Sequence, residues 1–471
     1  MRRGDFPLGA LPEWCLLNGV AFTNVSVANT DGRGLGLVAE KDLPTDSEAA
    51  PPLLKIPRDL VLSPNGIEQY AKQSREFREL LDAAGHQSTR GDALLFLLYQ
   101  MILSSPDNPN TPGARNPWTQ YFSLLPTQVP VPTLWSEPER ALLRGTSLES
   151  AVSAKLDSLI LEFNRVGEKT SHIPFWQELV EIDNVVTLDD WILLDALYRS
   201  RSLALPIDGE SMVPCLDLVN HSRSPTAYFE QSANDEVHLL LCQGSQVPAQ
   251  GEITINYGHD KPAAEMLFSY GFIDPSSTVN TIVLPVDLMQ DDPLSKAKLH
   301  VFGKPPTLKL TAKGNEKPAW SASYVSLMCL NQEDGLDFKI LQETDGSQHL
   351  RMFWQDNDVT EKADEMEKII EGHELCQVFR LRVISVISEA IQQQVDKLET
   401  SQEGAAASGP VRPEVLEAAS QLRVAEDDLF QQVLHMLEEE KSQLFEDGSV
   451  LAYLRSMEDS NEDDIESEDY S

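Results

Sequence analysis

A long helical stretch separates two β-rich segments, and this order limits the folds open to the chain. Before it, "GLGLVAEKDL" (34–43) and "PLLKIPRDLVLS" (52–63) are bounded by Gly, Pro and Asp and predict short strands. From about 66 to 205, apolar residues recur at helical spacing. Strand patterns return at 212–257, where "VHLLLCQGSQVPAQGEITINYG" predicts strand, turn and strand. The two β-rich portions must therefore meet in space across the helical stretch.

The last third of the chain is predicted to be mainly helical. Apolar side chains step by three or four residues along two patterns, from Ile384 to Leu398 and from Leu422 to Leu437. The tail from Glu458 has eight acidic residues and no basic one. We expect residues 458–471 to be disordered, because so charged a segment has too little apolar surface to offset the entropy lost on folding.

Net charge excludes one broad class of function. The 471 residues include 37 basic and 75 acidic ones, which give a net charge of −38 and a pI of about 4.5. Binding to nucleic acid depends on neutralising phosphates with Lys and Arg, so we expect no direct nucleic-acid partner. The length predicts two or three domains, and an apolar fraction of 41% is enough to give them cores. An acidic surface of this kind would attract a basic macromolecule, through a field that salt weakens.

Cysteine and histidine spacing gives no sign of a metal site. The five cysteines lie far apart in sequence, which fits neither a disulfide framework nor a cysteine zinc cluster. No two of the nine histidines are three or four residues apart, so a helical metal site is not expected. The N-terminus has no continuous apolar region, and no apolar stretch reaches transmembrane length. We predict a reduced, intracellular protein that binds no metal and no membrane.

Three short stretches could belong to a site, and each also has a purely structural explanation. In "CLDLVNHSRS", Asn220 and His221 follow an apolar run; they need hydrogen-bond partners if buried, and would suit a simple turn if not. The Gly-rich "DGRGLGLVAE" (31–40) lacks the third Gly of a dinucleotide fingerprint, and predicts a tight turn or a close approach to a ligand. In "GEITINYGHDKPAAEMLFSYGF", Tyr257 ends a strand and Tyr270 ends a helix, where a phenol could orient a nucleophile or simply pack.

Taken in order, "GRGLGLVAEKDL", "VPCLDLVNHS" and "GEITINYG" resemble the three sequence blocks of SET-domain methyltransferases. The helical insert and the helical region after the third block resemble the RuBisCO large-subunit methyltransferase branch, as do "WCLLNG", "NPWTQYFSLLP", "RSRSL" and "AAEMLFSYGF". The resemblance covers roughly residues 10–275. It implies an α+β chain, in which a β-rich SET fold with a threaded pseudoknot and a large helical insert is followed by a mainly α-helical C-terminal domain.

The domains implied by the resemblance follow the same order. They are a SET domain at 10–283 with its insert at about 66–205, a helical substrate-binding domain at 284–457 similar to that of RuBisCO methyltransferases, and the acidic tail at 458–471.

The resemblance also implies a cofactor and a set of site residues. The family's cofactor is S-adenosyl-L-methionine, which carries the methyl group on a sulfonium. Positions that match the cofactor site are Arg33, Gly34, Leu35, Arg201, Asn220, His221 and Tyr270. Positions that match the substrate side are Arg201 and Asp217, and Tyr257 matches the catalytic tyrosine whose hydroxyl orients the accepting amine. The family often has an acidic residue where this chain has Arg33, so the contacts expected there are those of the backbone through Gly34.

The activity implied by the resemblance is methylation of a lysine in a non-histone protein. A basic ribosomal protein would suit the acidic chain, and we expect a monomer in the cytoplasm, the nucleus or both. Two alternatives stay open: methylation of a histidine, as in one animal relative that acts on actin, and a non-catalytic SET-like adaptor that binds a protein through its helices. The presence of Tyr257 and Asn220 favours an enzyme over an adaptor.

Overall fold

The computed structural model of the chain describes most of its residues. The described residues are 1, 4–30, 32–43, 51–107, 113, 115–183, 185–277, 279–314, 316–342, 347–405 and 409–456. The predicted disordered tail at 458–471 lies outside them.

Strands occur on both sides of the helical stretch and again in the last third of the chain. They are β1 (Ala21–Phe22), β2 (Val25–Thr30), β3 (Gly34–Ala39), β4 (Leu54–Ile56), β5 (Ser202–Leu205), β6 (Gly209–Met212), β7 (Asn220–His221), β8 (Ala227–Gln231), β9 (Val237–Leu241), β10 (Glu252–Ile255), β11 (Val279–Pro285), β12 (Thr307–Lys313), β13 (Ala319–Ser321), β14 (Leu336–Gln342), β15 (Gln348–Trp354) and β16 (Asn357–Asp358).

Helices fill most of the remaining chain. The α-helices are α1 (Leu11–Leu17), α2 (Pro64–Ala71), α3 (Arg75–Ala84), α4 (Thr89–Ser104), α5 (Pro117–Tyr121), α6 (Glu137–Arg140), α7 (Ser147–Thr170), α8 (Pro174–Gln177), α9 (Leu188–Arg201), α10 (Ala263–Tyr270), α11 (Ser295–Phe302), α12 (Ser323–Met328), α13 (Met366–Ile370), α14 (Cys376–Ala405) and α15 (Pro413–Phe445). Turns of 3-10 helix lie at Leu8–Ala10, Arg58–Leu60, Phe122–Leu124, Pro132–Leu134, Ala141–Leu143, Leu216–Leu218 and Thr360–Glu365, and a π turn lies at Glu178–Ile182. Every helix among the described residues is too short or too polar to cross a membrane.

The chain divides into two compact units. The first comprises Met1–Ser136, Ser150–Lys261 and Glu265–Ser276, and the second comprises Glu137–Glu149, Pro262–Ala264 and Ser277–Ser471. The main division falls a few residues before the boundary predicted at 283. That the second unit binds substrate stays a prediction.

In the first unit, strands from before the helical stretch pair with strands from after it. β3 pairs antiparallel with β10, with Val38 opposite Glu252. β4 pairs antiparallel with β9, with Leu54 opposite Leu239. The two sheets have the strand orders β2-β3-β10-β7 and β1-β4-β9-β8, and inward side chains such as Leu37 are fully buried in a shared apolar core. The predicted meeting of the two β-rich portions is confirmed.

The two-residue strand β7 brings the Asn-His dipeptide to the end of β10. It pairs in parallel with β10, with Thr254 opposite Asn220 and Ile255 opposite His221. Because parallel strands run toward the same edge of a sheet, His221 and the residues that follow β10, including Tyr257, lie at one edge.

Helix α9 ends at the edge of this site and is fixed by buried charge. It starts with a capping box at Thr187, which satisfies amide groups that the first helical turn leaves unpaired. Its fully buried Asp195 forms ion pairs with Arg90 of α4 at 2.6 Å and with Lys155 of α7 at 2.8 Å. Removing one partner of such a buried pair leaves an uncompensated charge, so these contacts hold α9 in place. Its last residue is Arg201.

The second unit contains strands that the sequence analysis did not predict. β11, β12 and β13 form one antiparallel sheet, and β14, β15 and β16 form another. A weak signal for them exists in β12, where Leu308 and Leu310 are buried and Thr307 and Lys309 are exposed. Most helical residues of this unit lie in α14 and α15. The predicted α+β class, with a mainly helical C-terminal part, is confirmed.

Candidate active site

One cavity of the first unit is lined by every residue predicted for the site. We call it the large cavity; its volume is about 910 Å³, within the range of small-molecule pockets. The predicted residues that line it are Arg33, Gly34, Leu35, Arg201, Asp217, Asn220, His221, Tyr257 and Tyr270. The structure thus brings together residues that are spread over more than half of the chain.

Asn220 is anchored to the neighbouring strands by its amide hydrogens. Its Nδ2 donates to Glu252 Oε1 at 2.8 Å, to Thr30 Oγ1 at 3.3 Å and to the Leu35 carbonyl at 3.4 Å. Gly36 leaves room for this contact, because a Cβ at that position would lie 2.8 Å from Asn220 Nδ2. The Nδ2 hydrogens are committed to protein acceptors, which leaves Oδ1 as the side-chain atom that a ligand can use.

The Arg33 side chain also contacts protein groups. Its Nη1 donates to the His221 carbonyl at 3.3 Å and lies 3.5 Å from Glu252 Oε2. The next residue, Gly34, has a φ of 77°, a conformation that favours glycine. Its backbone lines the large cavity without a side chain in the way. The predicted backbone contacts through Gly34 stay a prediction.

Tyr257 and Tyr270 stand side by side in the wall of the large cavity. Their ring centroids are 4.8 Å apart. The Tyr257 hydroxyl donates to the Val219 carbonyl at 2.8 Å, and the Tyr270 hydroxyl donates to the Tyr257 carbonyl at 3.4 Å. Burial raises the pKa of both phenols. Tyr257 is therefore a neutral phenol at physiological pH, and its oxygen can accept a hydrogen bond while its proton is held by Val219.

His221 contacts Tyr257 through both its ring and its Nδ1 atom. The Tyr257 backbone N–H donates to Nδ1 at 3.1 Å, and the two ring centroids are 5.2 Å apart. Nε2 lies 3.5 Å from Asp274 Oδ2. Burial lowers the pKa of His221 and outweighs the opposing effect of Asp274. The imidazole is therefore neutral at physiological pH.

Asp217 is buried and held by groups from two other elements. Arg201 Nη1 donates to Oδ2 at 3.0 Å and to the Asp217 carbonyl at 2.8 Å. The Tyr121 hydroxyl, from α5, donates to Oδ1 and accepts the Cys215 backbone N–H at 2.8 Å. Burial raises the pKa of Asp217, and Arg201 opposes that shift. Arg201 Nε is buried without a hydrogen-bond partner among the described residues, which makes it a donor that a ligand could satisfy.

A second cavity meets the large one at the two tyrosines. We call it the small cavity; its volume is about 530 Å³. Five residues line both cavities: Ser200, Arg201, Asp217, Tyr257 and Tyr270. Apolar residues that line the small cavity are Leu203, Ala204, Leu216, Val219, Phe229 and Ile255. Two cavities with a common wall of this kind allow two ligands to meet beside the tyrosines.

The chemistry that these groups support is alignment rather than hydrolysis. The neutral phenol of Tyr257 and the Val219 carbonyl can orient an N–H donor, and neither is a strong base at physiological pH. The one carboxylate that lines both cavities, Asp217, is bound by Arg201 and Tyr121. In the described part of the chain, no group of three or more His, Cys, Asp or Glu side chains is arranged to hold a metal ion.

Sequence analysis missed three residues that support the site. Tyr121 lies in "NPWTQYFSLLP", a stretch that contributes only to the family resemblance. Its contact with Asp217 depends on tertiary structure. Glu252 lies in "GEITINYG", the third block of the family resemblance. Its contact with Asn220 could have been inferred from the resemblance, since the second and third blocks are expected to lie together. Asp274 follows "SYGF" and has no recognisable signal in the sequence.

Comparisons with known proteins give several relatives. The chain is 27% identical over 344 residues to SET domain-containing protein 8 of Schizosaccharomyces pombe, over 72% of this chain and 75% of that protein. It is 27% identical over 307 residues to the chloroplastic ribulose-1,5 bisphosphate carboxylase/oxygenase large subunit N-methyltransferase of Pisum sativum, over 61% of this chain and 56% of that protein. The actin-histidine N-methyltransferase of Gallus gallus is 22% identical over 344 residues, which cover 71% of this chain and 54% of that protein. No family model matches the sequence.

A solved structure shares the fold. The crystal structure of the SET domain of LSMT bound to lysine and AdoHcy has a TM-score of 0.66 and 22% sequence identity, over 93% of this chain and 92% of that chain. The chain is thus similar to the SET-domain methyltransferases, a class of S-adenosylmethionine-dependent enzymes. Within that class, the similarity in sequence and fold extends to the RuBisCO large-subunit methyltransferases. The resemblance to these methyltransferases predicted from the sequence, and the SET fold that it implies, are confirmed.

Proposed function

We propose that the chain transfers methyl groups from S-adenosylmethionine to a lysine side chain of a non-histone protein. The observation that carries this proposal is the meeting of the large and small cavities at Tyr257 and Tyr270. When bound, the cofactor supplies an activated methyl group on its sulfonium. Transfer then requires a nucleophile aligned with that group from the opposite side, which two cavities with a common wall would allow.

The large cavity would hold the cofactor, since its residues suit that molecule. Asn220 Oδ1 would accept from the α-ammonium group, and the unpartnered Arg201 Nε would donate to the carboxylate. The ring of Phe272 offers a flat apolar surface for a purine. The backbone at Gly34 allows close approach because no side chain intervenes. His221, Leu35 and Tyr270 would complete the cofactor side.

The small cavity would receive the acceptor side chain. A lysine amine has a pKa near 10.4 in water, so its ammonium form must release a proton to solvent before the neutral amine can act as a nucleophile. The apolar lining from Leu203 to Ile255 suits the methylene stem, and desolvation there would lower the amine's pKa. A histidine acceptor would also need a partner for its second ring nitrogen, so the two acceptors are distinguished by the test below.

Tyr257 would be the catalytic residue. Its proton is held by the Val219 carbonyl, so the phenol oxygen would accept from the incoming amine and fix its lone pair toward the methyl group. Arg201 and Asp217, which line both cavities, would shape the substrate side. Their mutual ion pair keeps the charge of either group from standing alone beside the amine.

The target is proposed to be a basic protein, of the kind found among ribosomal proteins. Helix α15 has eight carboxylates against Arg423 and Lys441, and most of these carboxylates are exposed. The net charge of −38 would favour encounter with a cationic partner. Because of this charge we propose no direct nucleic-acid partner. We also propose that the enzyme is a monomer. Its place would be the cytoplasm, the nucleus or both.

The test is transfer of radiolabelled methyl from S-adenosylmethionine to a cell extract depleted of this protein. The experiment compares wild type with Tyr257→Phe and with a matched control, Tyr228→Phe. The control changes an exposed tyrosine of β8. We expect discrete labelled bands with wild type and Tyr228→Phe, and a loss of about 100-fold with Tyr257→Phe, the scale for removing one group that positions the reacting atoms.

Hydrolysis of the labelled bands identifies the acceptor. Methyllysine supports the proposal, whereas methylhistidine would move the chain to the histidine alternative. Cofactor binding by calorimetry completes the experiment: a chain that neither binds S-adenosylmethionine nor labels any protein would be an adaptor.

A further inference from the structure

We propose that Asp274 is a positioning residue that acts through His221 on the backbone of Tyr257. The carboxylate, the imidazole and the peptide N–H of the tyrosine form a chain of contacts along the large cavity, which Asp274, His221 and Tyr257 all line. The inference rests on the proposed catalytic role of Tyr257. In addition to lining the large cavity, the His221 side chain would hold the Tyr257 backbone in place by accepting its N–H.

The hydrogen-bond pattern fixes which nitrogen of His221 carries the proton. The Tyr257 backbone N–H can only donate, so Nδ1, at 3.1 Å from it, must present a lone pair. The proton of the neutral ring is then on Nε2, which faces Asp274 Oδ2 at 3.5 Å. A carboxylate accepts and does not donate, so it favours the same tautomer.

Asp274 is itself held in place. Its Oδ1 accepts the Ser276 backbone N–H at 2.9 Å and the Ser276 hydroxyl at 2.7 Å, which leaves Oδ2 facing the ring. Burial opposes ionisation, but the hydrogen bonds from Ser276 and the nearby His221 together lower the pKa of Asp274. The carboxylate is therefore ionised at physiological pH. The two side chains are 7% and 15% exposed, so water competes little for their contact.

Burial lowers the pKa of His221 and so favours the neutral ring that this chain of contacts requires. Arg33 and Arg223 oppose protonation and Asp274 favours it, while the Tyr257 and Phe272 rings that pack on the imidazole are uncharged. Protonation of Nδ1 would put two donors face to face and remove the acceptor from the Tyr257 N–H. Tyr257 would then lose a contact that holds its backbone, and the phenol would lose its alignment. Activity should therefore fall on the acid side as His221 becomes protonated.

The experiment compares Asp274→Asn with wild type and with Glu230→Gln. The latter removes one carboxylate from an exposed position on β8 and serves as the charge-matched control. kcat and KM would be measured between pH 5 and 9 on a protein that the extract-labelling experiment identifies as substrate. The dissociation constant of S-adenosylmethionine would be measured by calorimetry. Selective ¹⁵N labelling of histidine would report the His221 tautomer, with His221→Gln used to assign its signal.

For Asp274→Asn we expect kcat to fall about tenfold, the scale for groups that orient a functional histidine. Cofactor affinity should change by less than about threefold, since the ligating atoms proposed above are untouched. Because the carboxylate stabilises the imidazolium, its loss should also shift the acid limb of kcat to lower pH. The Nε2–H tautomer signal should weaken. Asp274→Glu, which keeps a carboxylate, should restore part of kcat.

Three results would overturn the inference. A fall in kcat with an unchanged acid limb and an unchanged tautomer would make Asp274 merely structural. A weaker cofactor affinity at unchanged kcat would assign it to cofactor binding. Equal effects of Asp274→Asn and Glu230→Gln would reduce it to surface charge. If the chain methylates no protein, the proposed function fails, but the tautomer measurement still decides whether the chain of contacts exists.

Discussion

At the scale of single residues, Tyr121 supports a strained piece of backbone beside the site. Cys215 has a φ of 69°, which is costly for a residue with a side chain. The Tyr121 hydroxyl accepts the Cys215 N–H and donates to the Asp217 carboxylate. One buried phenol from α5 thus satisfies a backbone donor and a carboxylate two residues apart.

We predict that Tyr121→Phe destabilises the protein by roughly 1–3 kcal/mol, the cost of leaving a buried donor unsatisfied. Loss of the hydroxyl also removes a hydrogen bond that lowers the pKa of Asp217, so that pKa should rise further. Urea unfolding of the full chain would measure the stability, with Tyr228→Phe as the exposed control. An unfolding free energy equal to that of wild type would show that the Cys215 N–H finds another acceptor.

At the scale of elements, the contact of the Asn220 side chain of β7 with β2 and β3 depends on Gly36. A Cβ there would lie 2.8 Å from both Asn220 Nδ2 and Thr30 Cγ2, and 3.1 Å from Glu252 Oε1. We predict that Gly36→Ala displaces Asn220 and weakens S-adenosylmethionine binding by about tenfold or more, with an overpacking cost of about 1–3 kcal/mol. Calorimetric titration of the cofactor would test this. Gly9→Ala, where nothing lies within 4 Å of the added Cβ, should bind as wild type does.

Helix α15 carries a buried acid that makes the second unit sensitive to pH. Glu426 accepts hydrogen bonds from the Ser147 backbone N–H at 3.0 Å and from the Ser147 hydroxyl. Burial raises the pKa of Glu426 to about 7 from an ordinary value of 4.5. A raised pKa means that the folded state binds the proton more tightly than the unfolded state does. Stability should therefore fall as pH rises from 4.5 to 7.

The prediction is that Glu426→Gln removes this loss, which amounts to at most roughly 3 kcal/mol at 1.36 kcal/mol for each pKa unit. The unfolding free energies of wild type and variant should be close at pH 4.5 and differ most above pH 7, with the variant more stable. Chemical unfolding at several pH values would measure the difference between the two unfolding free energies. Groups other than Glu426 titrate in both proteins, so their contributions cancel in this difference. Parallel curves for the two proteins would contradict the raised pKa.

Different elements were predictable from the sequence to different degrees, for physical reasons. β3 and β10 were found because Gly and Pro bound them and their residues alternate. Their pairing to each other was not readable, because register depends on contacts between distant segments. β11 to β16 were missed because the helical periodicity after residue 384 is much stronger than the short strand patterns before it, and it led to a helical prediction for the whole last third. The nine predicted site residues, which line one cavity, were chosen through family blocks, whereas Tyr121 and Asp274 make contacts that have no local sequence pattern.

At the scale of the whole molecule, the net charge of −38 should govern encounter with the target. We predict that kcat/KM for a basic protein substrate falls about tenfold or more between 50 and 300 mM salt, because screening shortens the attractive field. kcat should change by less than about twofold, since the charged side chains beside the tyrosines, Arg201 and Asp217, are paired with each other and only 20% and 1% exposed. Steady-state kinetics at constant pH would measure both values. A kcat/KM that does not respond to salt would mean that acidic surfaces take no part in docking.

The pairing of β3 with β10 also has a consequence for the newly made chain. β3 ends at Ala39, and its partner begins only at Glu252. At about 5–20 residues per second, the ribosome needs roughly 10–40 s to deliver the missing strand. During that interval the hydrogen-bonding groups along one side of β3 have no native partner, and an open strand edge is a template for aggregation. Translation, rather than the lifetime of the finished enzyme, is then the stage at which this topology is most vulnerable.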